Sequence, residues 1–79
     1  MSREQKELLL KICNVRADKF YLDMKDYWSI EERSIQHKRS EEIKKLETEY
    51  IDKYEKLPEF RYINDIFDMQ KKLKTELGD

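Results

Sequence analysis

An all-α fold, a three-helix bundle built on an elongated antiparallel helical hairpin, is what this chain predicts, and three observations carry the prediction. Large apolar residues recur at spacings of three and four in three separate stretches. Ser2 and Ser29, each followed three residues later by Gln or Glu, stand where the first two stretches begin. The one Pro and the one Gly, Pro58 and Gly78, fall at the ends of stretches and not inside them.

The first helix is expected over about 3–27. Ser2 is its N-cap and Gln5 completes a capping-box pattern. Leu8, Leu9, Ile12, Cys13, Val15, Ala17, Phe20, Met24 and Tyr27 then form a stripe that drifts from the Leu8, Ile12 and Val15 side to the Cys13, Phe20, Met24 and Tyr27 side. Two neighbouring faces of this helix are therefore apolar.

A turn near Tyr27 to Ser29 leads to the second helix, expected over about 30–57. Ser29 and Glu32 form a capping-box pattern, and Glu31 and Glu32 put negative charge in a first turn whose dipole favours it. Ile35, Ile43, Leu46, Tyr50, Tyr54 and Leu57 mark the helix, with Glu41–Lys45, Glu49–Lys53 and Asp52–Lys56 as favourable i,i+4 pairs. Pro58 ends the helix. A break at Ser40, with a new helix opening on Glu41 and Glu42, is an alternative.

The third helix is expected over about 59–77, with Pro58 at its entry and Gly78 as a left-handed cap after it. Ile63, Ile66, Phe67, Leu73 and Leu77 form its stripe, and Lys71, Lys72 and Lys74 suit the negative end of its dipole.

A hairpin closed at Trp28 sets Ile43, Leu46 and Tyr50 opposite Val15, Ile12 and Leu8. A third helix reversing at Pro58 then brings Ile63, Ile66 and Leu73 to Tyr54, Tyr50 and Ile43. The second helix, at roughly 28 residues, is about 42 Å long and the third about 27 Å, so the third cannot cover both ends. The expectation is a protruding arm carrying Phe20, Tyr21, Met24, Tyr27, Trp28 and Ile35. Contiguous aromatic and apolar surface of this kind marks interaction sites. In the alternative, a chain broken at Ser40 folds Arg33 to Arg39 over these aromatics as a local lid.

The 79 residues suffice for a single helical domain, 1–79, whose core leaves stability marginal, which favours self-association. Charged residues make up 44% of the chain yet nearly cancel at net −1, which argues against generic polyanion binding. The longest aliphatic run is Leu8 to Leu10, far short of the roughly 20 residues of a membrane span. The N-terminal residues pass directly into charged helical sequence and Cys13 is the single cysteine, so a reducing cytoplasm is expected.

Chemistry finds little support. His37 is the one histidine and, in the hairpin, lies about 10 Å along the helix from the level of Cys13, too far for a nucleophile and its base. There is no Glu-x-x-His pair for a di-metal centre, one Cys and one His cannot hold structural zinc, and a single Gly rules out a phosphate loop. No catalytic residue, metal or cofactor is expected, nor a small-molecule substrate. Asp18, Asp23 and Asp26 spoil the polar face that a membrane-surface helix would need.

The expected function is therefore non-enzymatic: a protein–protein interaction module, an inhibitor, adaptor or assembly subunit, binding a partner or forming a homodimer through the aromatic arm. The alternative is a nucleic-acid-associated regulator using Lys38, Arg39, Lys44 and Lys45 with Lys71, Lys72 and Lys74. Glu41, Glu42 and Glu47, interleaved with the first group, favour a solvated, salt-paired face there.

Overall fold

The computed structural model describes residues 1–25 and 28–78, over which the chain forms three helices and no strand: α1 (Arg3–Asp23), α2 (Ile30–Tyr54) and α3 (Ile63–Glu76). Tyr27, expected at the end of the first helix and in the arm, lies outside the described residues, as does Asp26.

Local chemistry opens the first two helices as expected. The Ser2 hydroxyl accepts the Gln5 N–H at 3.1 Å, while the Gln5 side chain leaves the cap and donates to the Tyr50 hydroxyl at 2.9 Å. At Ser29 both halves of the capping box form: the hydroxyl accepts from the Glu32 N–H at 3.1 Å, and the Glu32 carboxylate accepts from the Ser29 N–H at 3.4 Å. Helix α2 then runs unbroken through Ser40, which removes the alternative of a separate helix and lid. Gly78 adopts the expected left-handed conformation, φ +85°.

All three helices end or begin inside their expected bounds. Helix α1 stops at Asp23, where the Met24 and Lys25 N–H groups close on the carbonyls of Phe20 and Leu22. Helix α2 stops at Tyr54 and not Leu57: Glu55 turns the chain at φ +68° while its N–H still reaches the Ile51 carbonyl at 2.8 Å. Pro58 bars Leu57 from helical geometry, so the turn must come earlier. Helix α3 begins at Ile63 and not beside Pro58, because the Asp65 carboxylate accepts the N–H groups of both Arg61 and Tyr62 at 3.1 Å and holds the chain non-helical up to that point.

The hairpin has the expected register. Gln5 meets Tyr50, Arg16 pairs with Glu47, Arg39 lies 3.7 Å from Asp18, and Gln36 reaches Asp23. The course of α3 differs from expectation. Leu73 joins Leu9, Ile12 and Tyr50 in one buried cluster, whereas Ile66 packs with Cys13 and Ala17 in a second, one turn and more nearer the hairpin end. Helix α3 is thus antiparallel to α1 and parallel to α2. The segment 55–62 makes this so, by running back along the hairpin and laying Leu57 and Phe60 on the core.

Helix α1 is the centre of the assembly. Both other helices pack on it, and among the described residues their backbones do not approach each other, so they meet through side chains such as Tyr50 and Leu73. The two apolar faces of α1 account for this: Leu9 and Ile12 serve the cluster that Tyr50 closes, Cys13 and Ala17 the one that Ile66 closes. Leu9, Ile12, Cys13 and Leu73 are fully buried, and each leucine or isoleucine contributes about 1.5–3 kcal/mol of transfer free energy.

Candidate interaction surface

The turn joining α1 to α2 is held by polar contacts that its sequence supplies locally. The Trp28 indole N–H donates to the Leu22 carbonyl, one of the last-turn acceptors that a helix end leaves unpaired. Lys25 pairs with Glu32, the residue that also caps α2. The hydrogen bond from Lys25, followed by that from the Ser29 N–H, holds the Glu32 carboxyl below the usual range. Partial burial pushes Asp23 up, but hydrogen bonds from Lys19 and Gln36 together outweigh it and hold this carboxyl low as well.

On this frame the arm residues take separate places. Tyr21 and Met24 stand open, at 60% and 66% exposure. Phe20 is half-buried and meets Tyr21 edge to face, with centroids 6.4 Å apart. Trp28 is half-buried with its donor satisfied inside the chain, and Ile35 is exposed beside Lys38, Arg39 and Glu42. The reversed course of α3 shortens the arm, since Phe67 comes within 6.3 Å of the Tyr21 ring and covers α1 to that level. What stays open is a tip beyond Tyr21, not a long two-helix arm.

The tip has members that the stripe pattern did not select. Ile30, at 88% exposure, is the first residue of α2, and Tyr62, at 74%, precedes α3 and borders the same hollow as Phe20 and Asp23. Ile30 lies five residues before Ile35, about 140° around the helix from the stripe, so periodicity carries no signal for it. Among the described residues the other large apolar side chains of comparable exposure are Met1 and Ile51, both toward the opposite end.

The basic residues are divided between α2 and α3. Arg39 is half-buried between Asp18 and Glu42, at 3.7 and 3.8 Å, so it belongs to the hairpin interface. Lys38, Lys44 and Lys45 are exposed on α2, and Lys71, Lys72 and Lys74 are exposed on the last turns of α3. His37 is exposed and lies 3.2 Å from Glu41, while Cys13 is sealed against α3, its thiol pushed up to about 11 by burial with Arg16 pulling the other way. No described helix is long and apolar enough to cross a membrane. Compared with known proteins, no family model, no curated protein and no solved structure matches this chain.

Proposed function

We propose that this chain is a non-enzymatic protein–protein interaction module, an inhibitor, adaptor or assembly subunit, and that the hairpin tip is its contact surface. The observation that supports this most is that Tyr21, Met24, Ile30 and Tyr62, all exposed, belong to helix ends that the topology brings to one end of the molecule. Exposed apolar area in one place loses its contact with water only by meeting another molecule. The polar contacts under the tip, from Trp28, Lys25 and Glu32, preorganise the backbone, which lowers the entropy lost on docking.

The test uses Met24→Asp and Ile30→Asp, which place charge on side chains already open to solvent and so leave the fold intact. Light scattering over a concentration series, with capture from a lysate alongside, compares these with the wild type and with a Lys44→Glu, Lys45→Glu variant. Association with itself or with a partner is expected in the wild type, weakened about tenfold or more by either tip substitution and unchanged by charge reversal on α2. Association that ignores the tip and follows the lysines would reverse the assignment.

A further inference from the structure

The segment 55–62 joins α2 to α3, two helices that pack on α1 and not on each other, and it is fixed by different means at its two ends. At Glu55 the backbone takes φ +68° and ψ −45°, and the Lys56 N–H donates to the Tyr54 carbonyl at 2.8 Å. A three-residue turn of this hand is the strained form of the γ-turn, and a residue with a Cβ holds it only where its surroundings enforce it. At the far end the Oδ2 atom of Asp65 accepts the N–H groups of both Arg61 and Tyr62 at 3.1 Å. The segment is thus a strap with a strained hinge and a polar latch.

Between hinge and latch the strap has few attachments. Among the described residues the N–H groups of Leu57, Glu59 and Phe60 have no backbone acceptor, and Pro58 has no N–H to offer. Leu57 and Phe60, both half-buried, rest on the core, with the Arg16 guanidinium 5.4 Å from the centre of the Phe60 ring. Phe60 borders two surface hollows, one of about 430 Å³ beside Ile43 and Ile66 and one of about 280 Å³ beside Met69. Its withdrawal would join them.

We propose that 55–62 is a lid that opens as one unit, hinged at Glu55 and released at Asp65, lifting Leu57 and Phe60 off the core while the three helices stay packed. A segment with few apolar anchors and water-facing N–H groups belongs to the low-stability end of a fold. Opening also relieves the backbone strain at Glu55, which favours it. The seams that α1 makes with α2 and with α3 do not include the strap, so the helices keep their packing when it lifts. The open lid bares Ile43, Ile66 and Met69 along one trough, and Tyr62, the last residue of the strap, moves with it. The lid does not depend on what the tip binds.

The experiment follows amide exchange by NMR and limited trypsin cleavage after Lys56, with thiol labelling of Cys13 as the measure of global unfolding. Cys13 is covered by Ile66 of α3 as well as by Phe60, so lifting the lid alone leaves it sealed. Glu55→Gly removes the Cβ that makes the hinge conformation costly. It is expected to slow exchange at the Arg61 and Tyr62 amides, at the opposite end of the strap, about fivefold or more. Asp65→Ala removes the latch and is expected to speed cleavage after Lys56 about tenfold or more, with Cys13 labelling changed far less. Cleavage that rises only in step with Cys13 labelling would mean that the whole chain unfolds. Exchange at Arg61 and Tyr62 indifferent to Glu55→Gly would mean that the two ends move separately. Either result overturns the proposal, and the glycine variant decides alone if Asp65→Ala does not fold.

Discussion

The indole N–H of Trp28 donates to the backbone carbonyl of Leu22, tying the residue before the cap of α2 to the last turn of α1. The same carbonyl accepts the Lys25 N–H at 3.2 Å, so the turn closes on one acceptor. Trp28→Phe keeps the apolar contact and removes the donor; it is expected to cost about 1 kcal/mol in urea unfolding. Trp28→Ala also loses apolar burial and is expected to cost about 2 kcal/mol or more. Loss of association in Trp28→Ala would therefore reflect a loosened tip, whereas Met24→Asp reports on the surface itself.

Tyr50 joins core and rim in one side chain. Its ring is 1% exposed in the cluster with Leu9, Ile12 and Leu73, and its hydroxyl accepts from Gln5 at 2.9 Å. Tyr50→Phe is expected to cost about 1 kcal/mol and Tyr50→Ala about 3–5 kcal/mol, measured as the shift in urea midpoint at constant slope. Because Tyr50 stands between α2 and α3, the alanine variant is also expected to loosen α3, seen as faster amide exchange at Leu73.

Acid acts on the tip. The Asp23 and Glu32 carboxyls are both held below their ordinary values, so their contribution to stability is present above those values, about 4 to 4.5, and fades as pH falls through the lower folded-state values. Urea midpoints at a series of pH values are expected to show a fall below pH 4 that the Asp23→Asn, Glu32→Gln double variant reduces. An acid limb of the same depth in both proteins would place the sensitive carboxylates elsewhere.

Cys13 is expected to be inert. With the thiol pushed up to about 11 by burial, only about a thousandth of it is thiolate at pH 8, and the sulfur is sealed from reagent. A disulfide reagent should label the native chain at the rate of its unfolding and the urea-unfolded chain at once. The raised value also means that stability declines as pH climbs from about 9 toward 11, where the unfolded chain loses this proton first.

The hairpin was legible because each of its determinants is local: a stripe with a measurable drift, a capping box at Ser29 and equal distances from the turn on either side. That drift also announced the two faces on which α2 and α3 sit. The direction of α3 was not legible. Pro58 says that a helix must stop, but where the next begins depends on Asp65 gathering the N–H groups of Arg61 and Tyr62, and on Phe60 finding the core from an extended segment. At the candidate surface, the openness of Met24 follows from a stripe position that outruns its partners, and Tyr21 stands next to the stripe. The inward turn of Trp28 has no such sign, since its acceptor is a backbone carbonyl that any residue at position 22 would provide.

Helix α3 lies antiparallel to α1, so Leu73, near the end of α3, packs with Leu9, near the start of α1, far from Met24 and Ile30. Residues 1 and 78 therefore leave the molecule at one pole, and the apolar tip occupies the other. Anything tethered at either of those residues, a bead, a fluorophore or another folded unit, holds the chain like a handle and turns its apolar pole outward. Immobilised in that way, the protein offers the proposed contact surface free of the tether, whichever end carries it.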